Sequence, residues 1–346
     1  MYKFKTSEQN NEKATEFETK SLLYLLTKIK GHSKVDLFII DCFNDVTGAS
    51  EHYTDSWDVQ SKNVASLTPR TVGKSLYTLF ANFVSDISFG HYILYLPQLK
   101  EAYINDISVE SCDISNFKST KVSAIKEGLI QEIERRNDPE IINTKYSKDV
   151  DEFLPKVIFV FDHYGKSDYI KSIIEFKNLN RLDESFLVRI FDEIRTYQAS
   201  KKIKCVFGEE VSSIQEAEKF GKNISRKDIE LLVINRVIGN DLFSSKGIPL
   251  YFISELAGMD EEDIADLIQD CQAQISRTLF NKHNKKAFWL LLEEIIVSIE
   301  KNRRRKIRDI LTSLNKNTTS QLFTMNQSAI LYLIALIKEG LENENS

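Results

Sequence analysis

Between residues 12 and 30, apolar side chains recur at spacings of three to five (Phe17, Leu22, Leu25, Leu26, Ile29), which predicts an amphipathic helix stopped by Gly31. The β-branched and aromatic run VDLFIIDCF predicts a strand from Val35 to Phe43. Gly, Asn, Asp and Ser crowd the next segment, NDVTGASEHYTDS, which predicts a turn. SWDVQSKN (56–63) then takes up a strand's alternation. LTPRTVGKSLYTLFANFVSDI predicts one helix, with Thr68 as N-cap and Pro69 at the first helical position. HYILYLP predicts a further strand. Helix, strand, turn, strand, helix, strand is the order of an α/β unit.

Past Pro97 the pattern continues with a helix over 121–136, a strand at KVIFVFDHY, a helix at ESFLVRIFDEIRTYQ and a short strand at KIKCVFGEE. Beyond about residue 210 helical periodicity takes over, in SSIQEAEKFGKN, SRKDIELLVINRVI, DEEDIADLIQDCQAQISRTLF, 287–314 and 325–340. Two domains are therefore expected: a mixed α/β domain over 1–205, with its core at about 10–100, and a mainly α-helical domain over 206–346. Five prolines and twelve glycines in 346 residues argue against long linkers. The apolar runs FWLLLEEIIVSI and AILYLIALI are too short or too interrupted to span a bilayer, and MYKFKTSEQNNEKATEFETK lacks a secretory apolar stretch. A cytoplasmic protein without a membrane partner is expected.

The net charge of −5 argues against a protein that simply coats nucleic acid. Cys42, Cys112, Cys205 and Cys271 form no CxxC pair, and His32, His52, His91, His163 and His283 are isolated. Two GKS tripeptides invite a phosphate-loop reading, but the glycine required five residues earlier is Thr68 in one case and Val160 in the other. The run KNRRRKIR (301–308) is either a solvated helix end or, through Arg303, Arg304 and Arg305, a contact with DNA phosphates or an acidic partner.

The sharpest candidate lies in SWDVQSKN. On a strand Asp58, Gln60 and Lys62 share one face, which serves either a solvated sheet surface or the wall of a metal site. A hairpin folding at TGASEHY would bring Asp45 near Gln60 and Lys62, and Glu18 on the first helix could reach the same sheet. A carboxylate, an amide oxygen and a helical glutamate suit a hard, oxygen-seeking cation such as Mg²⁺ or Mn²⁺. A lysine beside them suits phosphodiester hydrolysis, where negative charge builds on the scissile phosphate.

Asp45-x14-Gln60-Ser61-Lys62, after a helix carrying Glu18, resembles the PD-(D/E)xK nuclease superfamily in its QxK form. The fuller run NDVTGAS, SWDVQSKN and LTPRTVGKSLYTLFANF resembles the double-stranded DNA endonuclease domain of bacterial antiphage effectors, found in CBASS endonucleases and in the Lamassu nuclease subunit. The likeness covers about residues 10–100. It implies a restriction-endonuclease-like fold, with Asp45 and Gln60 as metal ligands, Lys62 as catalytic lysine, Glu18 as the helical acid and Asp41 as a reserve acid. It departs from the family in Gln60, where an acidic residue is commoner, and in Asn44, where proline usually precedes the first acid. The Lamassu likeness implies an SMC-like ATPase complex as partner and a homo-oligomer when active. The CBASS likeness implies a second domain that binds a cyclic oligonucleotide. A noncatalytic scaffold with a decayed nuclease fold is the reading from another class.

Overall fold

The computed structural model describes residues 1–4, 12–64, 66–142, 146–202, 206–243 and 247–343. The chain divides into two units, one of Met1–Tyr169 with Phe191–Arg226, the other of Ile170–Ile190 with Lys227–Ser346. The division is therefore not a single cut near residue 205: a short internal segment goes with the C-terminal helices, and the stretch after it returns to the first unit.

The first unit is built on a seven-stranded mixed sheet. Its strands are β2 (Leu37–Ile40), β3 (Val46–Ala49), β4 (Ser56–Ser61), β5 (His91–Pro97), β6 (Ser111–Cys112), β7 (Val157–Asp162) and β9 (Asn223–Ser225), in the order β6-β7-β5-β4-β3-β2-β9. The run β4-β5-β7 is parallel, and the remaining pairings are antiparallel. A separate two-stranded pairing joins β1 (Tyr2–Lys3) to β8 (Glu210–Val211). β5 is buried across its five central residues, as a parallel strand covered on both faces must be.

Helix α1 (Glu12–Thr27) lies against β3 and β4, with Leu22, Leu23, Leu25 and Leu26 fully buried. Arg226 closes its far end, its guanidinium donating to the carbonyls of Leu26, His32 and Val35. Helices α2 (Pro69–Ser75) and α3 (Tyr77–Phe83) come between β4 and β5 in the chain. Thr68 caps α2 as expected, its hydroxyl accepting from the Thr71 N–H at 3.2 Å. Helices α4 (Ser119–Arg136), α5 (Pro139–Ile142), α6 (Tyr146–Phe153), α7 (Lys166–Lys171) and α8 (Glu184–Lys201) follow.

The second unit is helical: α9 (Arg226–Ile238, in it from Lys227), α10 (Glu261–Leu279), α11 (Lys285–Lys301), α12 (Ile307–Ser313), α13 (Lys316–Gln321) and α14 (Gln327–Asn343). α14 is buried almost all round, and α10, α11 and α12 pack on it, as its uniformly apolar sequence requires. Among the described residues no helix is long and apolar enough to cross a membrane.

The structure departs from the sequence pattern at five places. VTGA, read as turn, is strand β3, and its Gly48 lies where an added Cβ would meet Leu25 Cδ1 and Val35 Cγ1 at 3.2 Å. The glycine marks close packing of α1 on the sheet, not a turn. The helix after Thr68 breaks at Leu76 into α2 and α3. In KIKCVFGEE, residues 203–205 lie outside the described set, and β8 is the strand that follows. SSIQEAEKFGKN forms a 3-10 turn over Gln215–Phe220 and leads into β9 rather than an α-helix. The segment 287–314 is two helices, α11 and α12.

Candidate functional site

The hairpin between β2 and β3 turns through Cys42, Phe43 and Asn44. It is closed by the Asp41 N–H donating to the Asp45 carbonyl at 3.1 Å. Asp41 takes a left-handed backbone (φ 51°), and Lys222 holds it there through its carbonyl (2.9 Å) and its carboxylate (3.3 Å). Asp45, one residue before β3, stands opposite Gln60 because the antiparallel register of β3 and β4 pairs Val46 with Val59. The hairpin that joins β3 to β4, turning over 50–55 and so overlapping TGASEHY, makes the expected meeting of Asp45 with Gln60.

Three donors converge on Asp45 Oδ2, each at 2.7 Å: Gln60 Nε2, the Ser61 N–H and the Ser61 hydroxyl. Asp45 and Gln60 are 5% and 1% exposed, so the bonds form out of water. Gln60 Oε1 accepts from the Thr78 hydroxyl of α3 at 2.6 Å. Ser61 is a site residue the sequence pattern did not single out, although it sits inside the QxK motif.

Asp58 points toward α3 as Gln60 does, so the alternation of β4 holds. Its surroundings do not match a solvated face, because all of Ser56–Ser61 is buried. Asn44 Nδ2 donates to both Asp58 oxygens at 2.8 Å and Asn82 Nδ2 to one at 2.8 Å. Burial nevertheless pushes the Asp58 carboxyl up to about 7 against these amides. Asp58 is a fully engaged core carboxyl, and the residue standing where proline is usual, Asn44, is one of its anchors.

Lys62 follows β4, its N–H donating to the Tyr95 carbonyl at 3.0 Å, so its backbone is held as a continuation of the strand. It is half-buried, and among the described residues its ammonium makes no hydrogen bond or ion pair.

Glu18 is 2% exposed on α1 and pairs with Lys202, the residue just after α8, at 2.5 Å. Burial, and then the Asp45 charge, push the Glu18 carboxyl up to about 7 against the pull of Lys202. Burial works against a charged Lys202, but the Glu18 carboxylate outweighs it, with Asp41 and Asp45 adding to the same field, and its pKa is raised. Glu18, Asp41 and Asp45 thus belong to one electrostatic neighbourhood. Lys202 had no signal in the sequence, since it sits among other lysines in the stretch KKIK, far along the chain from Glu18.

Among the described residues no three His, Cys, Asp or Glu side chains are grouped to hold a metal ion. The donors present are two carboxylates and an amide oxygen, all hard, and Mg²⁺ is commonly held by one or two carboxylates while keeping several waters. Gln60 turns Nε2, not Oε1, toward Asp45. Reversing the amide keeps the Thr78 bond, because a hydroxyl accepts as well as donates, and it opposes two oxygens at Asp45 that a cation between them would reconcile. On donor chemistry the residues fit such a cation.

The basic run is a connection between α11 and α12 rather than a helix end. Arg305 is used internally, donating to Ser298 Oγ (2.8 Å) and the Asp309 carbonyl (2.7 Å), and Arg308 pairs with Glu255. Arg303 and Arg304 are exposed, with no side-chain partner among the described residues. Arg305 also lines a cleft of ≈ 390 Å³ with Lys177, Glu293, Glu294, Ser298 and Lys301. The two glutamates there are occupied, Glu293 by the N–H groups of Lys177 and Asn178, Glu294 by the Asn315 N–H and the Thr318 hydroxyl.

No family model matches the chain, and neither a curated protein nor a solved structure matches it.

Proposed function

We propose that the chain is a Mg²⁺-dependent endonuclease of double-stranded DNA on a restriction-endonuclease-like fold, acting as a gated effector of antiphage defence. One observation carries the reading: Asp45 is bonded to Gln60 and Ser61 at the end of β4, while the Lys62 ammonium on the same strand has no partner among the described residues. The order α1, β2-β3-β4, α2-α3, β5 supports the fold assignment. Gating by an SMC-like partner complex and by self-association rests on the sequence resemblance.

Asp45, Glu18 and, with its amide reversed, Gln60 would hold the cation, which when bound supplies charge neutralisation and a more acidic water. Lys62 donates to a non-bridging oxygen of the scissile phosphate, where charge grows as water attacks phosphorus and the bond to the leaving oxygen breaks. Its strand backbone is fixed to β5, so the ammonium is carried by a rigid element. Ser61 keeps Asp45 aimed.

A noncatalytic scaffold is the second reading, favoured because Gln60 Oε1 is taken by Thr78 and Glu18 by Lys202. Plasmid cleavage with Mg²⁺ or Mn²⁺ separates the two. The wild type is expected to cut, with Lys62→Ala and Asp45→Asn each losing about 100-fold or more, the scale of losing one transition-state contact. Lys62→Ala should keep its melting temperature. A folded wild type inert with both metals, at concentrations that allow self-association, gives the case to the scaffold.

A further inference from the structure

We propose that Lys202 is a further positioning residue of the candidate site, an internal cation that occupies the charge position a divalent metal would fill. The inference rests on the metal-site reading above. Lys202 is not a surface lysine that happens to lie near an acid. The side chains of Lys202 and Glu18 are 11% and 3% exposed, and they pair at 2.5 Å.

Two further contacts dock the same stretch of α8 onto α1. One turn before Lys202, Gln198 accepts from the Thr19 hydroxyl at 2.6 Å, beside Glu18 in sequence. Within the two turns of α8 before Gln198, Asp192 and Arg195 join Glu16 and Lys166 in a charged group at 3.1–3.7 Å. The ammonium therefore approaches Glu18 along a fixed path. Its place just beyond the last turn of α8 also suits a cation, because a helix C-terminus carries partial negative charge.

A carboxylate that is a metal ligand cannot at the same time be neutralised by a buried ammonium without competition. Lys202 and a divalent cation are rivals for Glu18, and loading requires the ammonium to withdraw. The consequence is a site that binds free metal weakly. Glu18 joins it only when Lys202 is drawn off, for which the phosphate backbone of bound DNA is the chemically suitable attractor. Lys202 also holds Glu18 in place while the site is empty, which an isolated buried carboxylate could not do.

Mn²⁺ binding without DNA, followed by calorimetry, tests this. Lys202→Met is expected to bind Mn²⁺ at least tenfold more tightly than the wild type, and Lys202→Arg to stay at the wild-type affinity. Should Lys202→Met fail to give a native circular dichroism spectrum, Lys202→Gln carries the same expectation with a side chain that still hydrogen-bonds Glu18. Equal or weaker Mn²⁺ affinity in the folded variant overturns the inference. If the wild type cleaves plasmid while that affinity is unchanged, the inference falls and the nuclease reading stands. If neither protein binds Mn²⁺ or cuts DNA, both fall.

Discussion

Asp58 shows how a single residue can be read correctly in direction and wrongly in role. Alternation places it on the Gln60 side of β4, yet it is 0% exposed and held by two asparagines. A carboxyl whose pKa is raised by folding stabilises the fold fully below its unfolded value, near pH 4. That contribution is lost as pH rises through the folded value, about 7. A rise of that size is worth about 4 kcal/mol at most, and Glu18, also pushed up to about 7, acts in the same direction. Melting temperatures at pH 5 and pH 8 check this: the wild type should lose stability between them, and Asp58→Asn should lose less and match or exceed it at pH 8. A variant curve parallel to the wild type would refute the assignment.

The neighbourhood of Asp45 and Gln60 was legible because it depends on local signals, a strand, a turn and a strand in succession. Lys202 and Lys222 were not, because nothing near them in the chain records that they meet Glu18 and Asp41. A side chain that pairs across the fold leaves no periodicity behind.

Among the elements, α2 and α4 give the clearest case of a motif with a purely structural meaning. Gly73 belongs to a GKS tripeptide, but a Cβ on it would stand 1.9 Å from the Ile125 carbonyl oxygen, and one on Gly128 would stand 2.2 Å from that of Arg70. The two helices touch backbone to backbone at reciprocal glycines. Gly73→Ala or Gly128→Ala must push them apart, at about 3 kcal/mol on the scale of overpacked cores. The other tripeptide glycine, Gly165, has its nearest such neighbour, a side-chain oxygen of Asp168, at 3.3 Å. Gly165→Ala should cost much less in urea unfolding, and equal costs at Gly73 and Gly165 would contradict the packing argument. The misread elements share one cause. Gly48 and the polar segment after residue 212 carry turn-like or helical local signals, and contacts made elsewhere in the fold decide their conformation.

For the molecule as a whole, a charge of −5 leaves little general attraction for DNA, so local cations must supply it. Of the four arginines in the basic run, Arg303 and Arg304 stand exposed and can do so, while Arg305 is bound to Ser298 and Asp309 and Arg308 pairs with Glu255. If they contact phosphates, Arg303→Glu with Arg304→Glu should lower the slope of log affinity against log salt by about 2. Arg305→Ala should instead lower the melting temperature with little effect on the slope. An unchanged slope in the double variant would make the run a contact for protein rather than DNA.

The discontinuity of the first unit also sets an order of events during synthesis. Glu18, Asp41, Asp45, Gln60 and Lys62 all leave the ribosome before residue 65, but β9, which covers the open edge of β2, ends at Ser225. Until then β2 has an unpaired backbone flank, and Asp41 and Glu18 lack the lysines that face them. The nascent chain therefore carries its acidic residues through the synthesis of everything up to Ser225 without the framework that aims them. The same late closure that completes the sheet delays the assembly of the candidate site.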